Sequence, residues 1–463
     1  MTDTHLSFTS ARPLLWLVAL AVLMQMLDAT IINTALPEMA QSFGKSPLQM
    51  QAVVFSYSLA VALCIPASGW IADTWGTRRT FMAALLIFAV SSALCASATH
   101  FSGLIIARII QGIGGAFLLP VGRLAVLKTI AAEEYLRALS FMTIPALTGP
   151  LIGPALGGWL THIASWHWVF LINLPIGAIG YCASLRYMPN FHARACARFD
   201  LIGYILLAIA MLTLLIALDG VAELGMNWLE STLLFVLSFV SFRIYLSHAR
   251  RIACPLFPIE MFRIQHFRIG ILGNLCARIG SSAMPMLIPL LLQVVFHFSA
   301  QSAGLLMTPA AAAGMVSKCV SVRLVQTWGY RCVLITNTIL IGASIACFAF
   351  LNQQEAIGLV IVCLICFGAV NSLQFSLMNS VTLGSLEHSY TTAGNSVLSI
   401  TMMLSASIGP ATAGSLIALS TQGAAHGLDS AHHALGITFL CMGTVTAMAA
   451  AIFLRLGEKQ ARD

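Results

Sequence analysis

A run of about twenty apolar residues recurs along the whole length of this chain, and that recurrence narrows the possible folds more than any other feature. One run, LVALAVLMQMLDATIINTALP at 17–37, is long enough to cross the ~30 Å hydrocarbon layer of a bilayer as a helix rising 1.5 Å per residue. Such runs fall at 14–35, 48–70, 80–98, 102–124, 138–161, 168–186, 201–218, 231–248, 269–295, 302–322, 332–350, 357–381, 393–420 and 434–455. Lipid cannot satisfy backbone polar groups, so spans are helices or strands of a closed barrel. Barrel strands are shorter and alternate in polarity, so the expected fold class is an all-α membrane protein with fourteen transmembrane helices. With 8% charged residues, against about 25% in soluble domains, the chain cannot cover a water-facing surface. The N-terminus carries only Arg12 before its apolar run and has no convincing cleavage site, so the first run is expected to stay as a span.

The basic residues decide the orientation. With the N-terminus cytoplasmic, nineteen Lys and Arg residues fall on the inner side and only Lys45 on the outer. An even number of spans places both termini in the cytoplasm. The net charge of +7 is then explained by cytoplasmic loops, and no nucleic-acid partner is expected. Three cations remain inside spans: Arg108, Arg278 and Lys318. Lys318 lies ~6 Å from the inner end of its span by helical rise, where a lysine can snorkel to the interface.

The chain also repeats itself. Trp75-Gly76-Thr77-Arg78 follows the second span, and Trp328-Gly329-Tyr330-Arg331 follows the tenth. The expected layout is 6+2+6: a six-helix bundle at 1–190, an inserted helix pair with cytoplasmic linkers at 191–261, and a second bundle at 262–463. Two repeated bundles are how many secondary transporters are built, with the substrate between them.

Four stretches carry candidate chemistry. Asp28 lies in the first span, where a charge costs at least ~2.5–3.5 kcal/mol. It sits ~21 Å from the inner end of that span, and Arg108, in LIIARIIQGIGGA at 104–116, sits ~9 Å from the outer end of the fourth. These depths agree, so the two are expected to meet directly or through Gln111, Asn33 or water. A pair that only fixes packing is the alternative. Burial disfavours a carboxylate's charge and a guanidinium favours it, and a balance of the two makes a switchable proton site. GWIADTWGTRR at 69–79 packs Gly69, Asp73, Gly76 and Arg78 into one cytoplasmic turn. There Asp73 is expected to face a helix N-terminus or an arginine and to act as a gate. TGPLIGPALGGWL at 148–160 repeats glycine every four residues on one helix face. Gly149, Gly153, Gly157 and Gly158 with Pro154 suit either plain close packing or a hinge or seal. In the second half Arg278, Gln293, Asn371, Gln374 and Asn379, with Asn33 and Gln111 in the first, are the expected substrate-cavity residues.

The cysteines lie mostly inside apolar runs and read as small apolar side chains without a disulfide framework. Cys363 and Cys366 form a CxxC in the middle of one run. No zinc spacing, phosphate-binding loop or nucleophile elbow is present, so no metal, no cofactor and no catalytic residue is expected, and the chain does not read as an enzyme. No room for a soluble output domain appears at either end, which argues against a sensor.

These stretches resemble the major facilitator superfamily, in particular its fourteen-span drug:proton antiporter branch. LDATIINTALP, GWIADTWGTRR, ARIIQGIGGA, GPLIGPALGG and SWHWVFLINLPIG (165–177) resemble five signatures of that branch. Thr74 and Thr77 stand where basic residues are common, His167 where arginine is common, and Gln326 where the first-half copy has Asp73. The resemblance implies the superfamily fold and export of drugs or xenobiotics across a bacterial inner membrane by proton antiport. The partners it implies are a small-molecule substrate, protons and the lipid bilayer. Counting three intramembrane cations against one acid suggests organic acids or anionic metal chelates as the alternative cargo. Uptake by proton symport is a weaker rival, opposed only by the fifth-span pattern.

Overall fold

The computed structural model describes residues 7–192, 199–223, 226–351, 357–387, 390–421 and 428–457. They are helical almost throughout. The helices are α1 (Arg12–Phe43), α2 (Pro47–Trp75), α3 (Thr77–Ala96), α4 (Phe101–Thr129), α5 (Tyr135–Ile163), α6 (Trp168–Leu171), α7 (Asn173–Tyr187), α8 (Leu201–Glu223), α9 (Trp228–Ala249), α10 (Gln265–Leu290), α11 (Ala300–Cys347), α12 (Ile357–Gly384), α13 (Thr391–Thr421), α14 (Leu428–Met448) and α15 (Ala450–Phe453). A π-helical turn, Leu291–Val295, extends α10. Twelve segments among the described residues are long and apolar enough to cross a bilayer, and α5 is a further 29-residue helix. The longest of the twelve, Ser302–Phe350, is two segments that meet at Gly329. Fourteen spans are consistent with this architecture.

Local chemistry ends the helices where the composition changes. Gly44, at φ 60°, closes α1. Ser46 opens α2 with a reciprocal cap, accepting from Gln49 N while the Gln49 side chain accepts from Ser46 N. The tandem Trp-Gly motifs make the same device twice: Gly76 has φ 92° and Gly329 φ 72°. Side chains rarely adopt these angles, so each glycine supplies the turn between two successive helices. The repeat read from the residues is thus a repeat of backbone conformation.

Polarity is inverted relative to a water-soluble fold. Large apolar side chains such as Trp16, Ile106, Leu229 and Phe239 are more than half exposed, whereas Asp28, Arg108, Gln111, Asn173 and Asn274 are buried. Lipid accounts for the first group and internal hydrogen bonding for the second. The chain is a multi-pass membrane protein.

The chain divides into two compact units, Met1–Met261 with Leu386–Ile400, and Phe262–Ser385 with Thr401–Asp463. In the first, α1 packs along α5 and α2 along α4. The inserted helices α8 and α9 are joined by Ser238 Oγ donating to Ala210 O and Ser241 Oγ to Leu206 O. They are tied to α2 by Tyr204 Oη donating to Leu63 O and by the Trp70–Phe199 ring contact. Asp200 caps α8 through Gly203 N and also accepts from His248 Nε2 and Leu256 N. Cys254, in the linker after this pair, is disulfide-bonded, which corrects the expectation that the cysteines act only as apolar side chains. In the second unit an apolar core runs through Leu287, Leu291, Ile345, Leu364 and Phe439.

Candidate functional site

Asp28 and Arg108 meet. Arg108 Nη1 donates to Asp28 Oδ2 at 2.7 Å, and both side chains are about 1% exposed. Asp28 Oδ1 accepts from Gln111 Nε2 at 2.9 Å and from Asn173 Nδ2 at 2.8 Å. Arg108 Nη1 also donates to Gln111 Oε1 at 2.6 Å, and its Nε donates to Val53 O. The guanidinium lies 4.4 Å from the Tyr57 ring centroid. Ser92 Oγ accepts from Gln111 and Asn173. These added hydrogen bonds help to hold a charge pair this deep, because desolvation otherwise exceeds the Coulomb attraction.

The arrangement has two usable states. With Asp28 ionised, three donors converge on its oxygens. With Asp28 protonated, Arg108 loses its charged acceptor yet keeps Gln111 Oε1 and Val53 O, so the guanidinium is never stripped bare. Gln111 therefore limits the cost of protonating Asp28. Asn33, also expected here, is exposed on α1. Five residues after Asp28, it points about 140° around the helix.

Expected hinge residues Gly149, Gly153 and Gly157 face α1. A Cβ at Gly149 would stand 2.7 Å from Met26 Cβ and 2.9 Å from Met26 C; at Gly157 it would stand 2.7 Å from Ile31 O. Gly158 is exposed with nothing within 4 Å, and the Pro154 side chain lies outside the described residues. Gly149→Ala is expected to overpack the α1–α5 seam and cost about 1–3 kcal/mol. Gly158→Ala should be neutral or up to about 1 kcal/mol stabilising from helix propensity. Thermal unfolding of the purified variants checks both.

In the glycine-rich turn, Asp73 Oδ1 accepts from Lys128 Nζ and from Thr392 Oγ1, each at 3.1 Å. Thr392 lies in the first turn of α13, and the bond to Asp73 comes from its side chain. Arg78 is half-buried and pairs with no carboxylate among the described residues; the base that reaches Asp73 is Lys128. A Cβ on Gly69 would stand 2.8 Å from Ser396 Oγ, so glycine there admits α13. Arg123 and Asn395, also joined at this end, had no signal beyond inner-side charge.

In the second unit, a cavity of about 130 Å³ is lined by Arg278, Asn371, Gln374, Phe375 and Ser405, among others. Arg278 Nε donates to Asn274 Oδ1, and its guanidinium stacks 4.1 Å from the Phe375 centroid. Lys318 is 6% exposed and donates to Ser376 Oγ at 2.7 Å, so it does not snorkel. Gln374 is held by Asn337 and Thr338. Asn379 is buried and is not among the lining residues. Gln293 is exposed in the π turn and does not line the cavity either.

The Major Facilitator Superfamily model matches residues 18–410 and, in an overlapping alignment, 270–462. A protein of Pectobacterium atrosepticum described as "Putative multidrug resistance protein MdtD" is 44% identical over 96% of this chain and 96% of its own. A protein of Enterobacter sp. with the same description is 43% identical over 100% of this chain and 98% of its own. Among solved structures, the human organic anion transporter MFSD10 superposes with a TM-score of 0.65 at 15% identity, covering 96% of this chain and 99% of that one. The proton:xylose symporter XylE gives 0.69 at 12% identity, covering 98% of each. At these identities the structural likeness concerns the fold.

Proposed function

The chain belongs to the major facilitator superfamily, and from that premise we propose that it is a proton-coupled antiporter exporting drug-like small molecules across a bacterial inner membrane, both termini cytoplasmic. It is a transporter rather than an enzyme. The export direction and drug class draw on the relatives described as multidrug resistance proteins. One observation carries the mechanism: the carboxylate of Asp28, buried within α1, is held by a guanidinium that cannot give up its proton. A proton arriving from outside neutralises Asp28 and weakens its bond to Arg108. Substrate leaves in exchange, and the proton passes to the cytoplasm. Gly69, Asp73 and Gly76, with Lys128, act as the cytoplasmic gate, Arg78 contributing charge at that surface. Gly149, Gly153 and Gly157 let α1 and α5 move as a sealed pair.

Reconstituted protein with an imposed pH gradient should drive ethidium against its own gradient, and an uncoupler should stop it. Ethidium movement that ignores the pH gradient contradicts the coupling.

A second reading is favoured by the cavity in the second unit. Its lining combines Arg278 with amide and hydroxyl groups and includes no carboxylate, a composition suited to an anionic cargo such as an organic acid. Arg278→Ala separates the two. Loss of carboxyfluorescein transport on the order of tenfold or more, the scale of one lost charge-assisted contact, with ethidium transport intact, favours the anion. Equal retention of both favours the drug reading.

A further inference from the structure

Four buried polar atoms in the Asp28 cluster make no hydrogen bond among the described residues: Arg108 Nη2, Tyr57 Oη, Gln25 Oε1 and Asn173 Oδ1. A buried polar atom left unsatisfied is costly, and four of those found among the described residues gather around this one ion pair. Tyr57 is the most telling. Its ring lies against the Arg108 guanidinium at 4.4 Å and edge-on to Phe88, so the side chain is held in place. Its hydroxyl fits over bare backbone, since a Cβ at Gly115 would come within 2.6 Å of it. Gln25, on α1, reaches toward that hydroxyl without closing a hydrogen bond of good geometry. It precedes Asp28 by three residues and so lies about 4.5 Å nearer the N-terminal end of the helix.

Buried water is found where two to four polar groups converge, and Tyr57 Oη, Gln25 Oε1 and Arg108 Nη2 supply both donors and acceptors. We propose that Tyr57 and Gln25 form a water-binding proton relay through which Asp28 exchanges its proton with the cytoplasmic side. The inference rests on the reading of Asp28 as the coupling group with the N-terminus inside. In the release step the Asp28 O–H bond breaks as its proton passes to water. That water passes a proton to Tyr57 Oη while the hydroxyl's own proton moves on toward Gln25 and the next water. One proton is transferred, and the hydroxyl is regenerated. Tyr57 is a positioning and relay residue that also keeps the guanidinium in place.

The test follows the Asp28 carboxyl by infrared spectroscopy after a pH jump, using purified full-length protein in proteoliposomes. The Asp28 band is the one absent from Asp28→Asn. Tyr57→Phe keeps the ring over Arg108 and removes only the hydroxyl. It should slow protonation of Asp28 on the order of 10²-fold, the lower range for a positioned proton-transfer group, and leave the titration midpoint unchanged. Gly115→Ala, which displaces the hydroxyl, should slow it as well. A parental rate in both variants overturns the relay, and so does a shifted midpoint with an unchanged rate. If the parent shows no band that disappears in Asp28→Asn, the coupling assignment itself falls, a different result from either of these.

Discussion

Asp28→Asn is expected to fold normally and to lose proton-driven transport by on the order of 10²-fold or more. Asparagine has the shape of the aspartate and can still accept from Arg108 through its carbonyl; its NH2 then faces Gln111 and Asn173, and the Asn173 amide can turn its Oδ1 to accept from it. Asparagine cannot alternate between a charged and a neutral form. The loss therefore falls on the coupled step; the buried Arg108 charge, left with the neutral acceptors Gln111 Oε1 and Val53 O and the new carbonyl, lowers the melting temperature by less than a pair broken with no acceptor in the partner's place. Transport of ethidium in proteoliposomes with an imposed pH gradient measures the first quantity, and a melting curve of the same preparation measures the second. A transport-dead variant that also melts far lower would point to packing rather than proton exchange.

Removing the other partner strands the carboxylate instead. Arg108→Leu leaves the Asp28 carboxylate buried with only neutral donors, and breaking a buried pair from one side costs about 3–5 kcal/mol. A fall in melting temperature on the order of 10 °C is expected. The double variant Asp28→Asn with Arg108→Leu removes the stranded charge and should recover most of that fall, while transport stays lost. Recovery of stability without recovery of function separates the electrostatic requirement of the fold from the requirement of the mechanism. Equal instability of the single and double variants would show that Arg108 matters through its packing on Tyr57 and Phe170.

Much of this was legible in the residues because bilayer thickness sets a length that the apolar runs must match. Depth alone brought Asp28 and Arg108 together, since helical rise converts residue number into position. Rotation around a helix was the missing coordinate. It turns Asn33 away from Asp28, and it distinguishes Gln374, inside the second unit, from exposed Gln293. The small polar partners were illegible for another reason. Ser91 and Ser92 are adjacent, both buried and both bonded to their own helix, yet only Ser92 also accepts from Gln111 and Asn173. Nothing local marks which hydroxyl has a second duty. Asn173 stood in a quoted stretch without a role for the same reason. Lys128 was read only as inner-side charge, because a reach from the end of α4 to Asp73 depends on packing that residue spacing does not express.

The most direct measurement of the central claim is proton release on substrate binding. Purified protein in weakly buffered detergent solution is mixed with ethidium at a series of starting pH values, and the pH of the solution is followed. Exchange of a proton for cargo predicts acidification by the parent, none by Asp28→Asn, and binding of ethidium by both. Equal acidification by the two proteins, or ethidium binding by the parent without any proton release, would contradict the account.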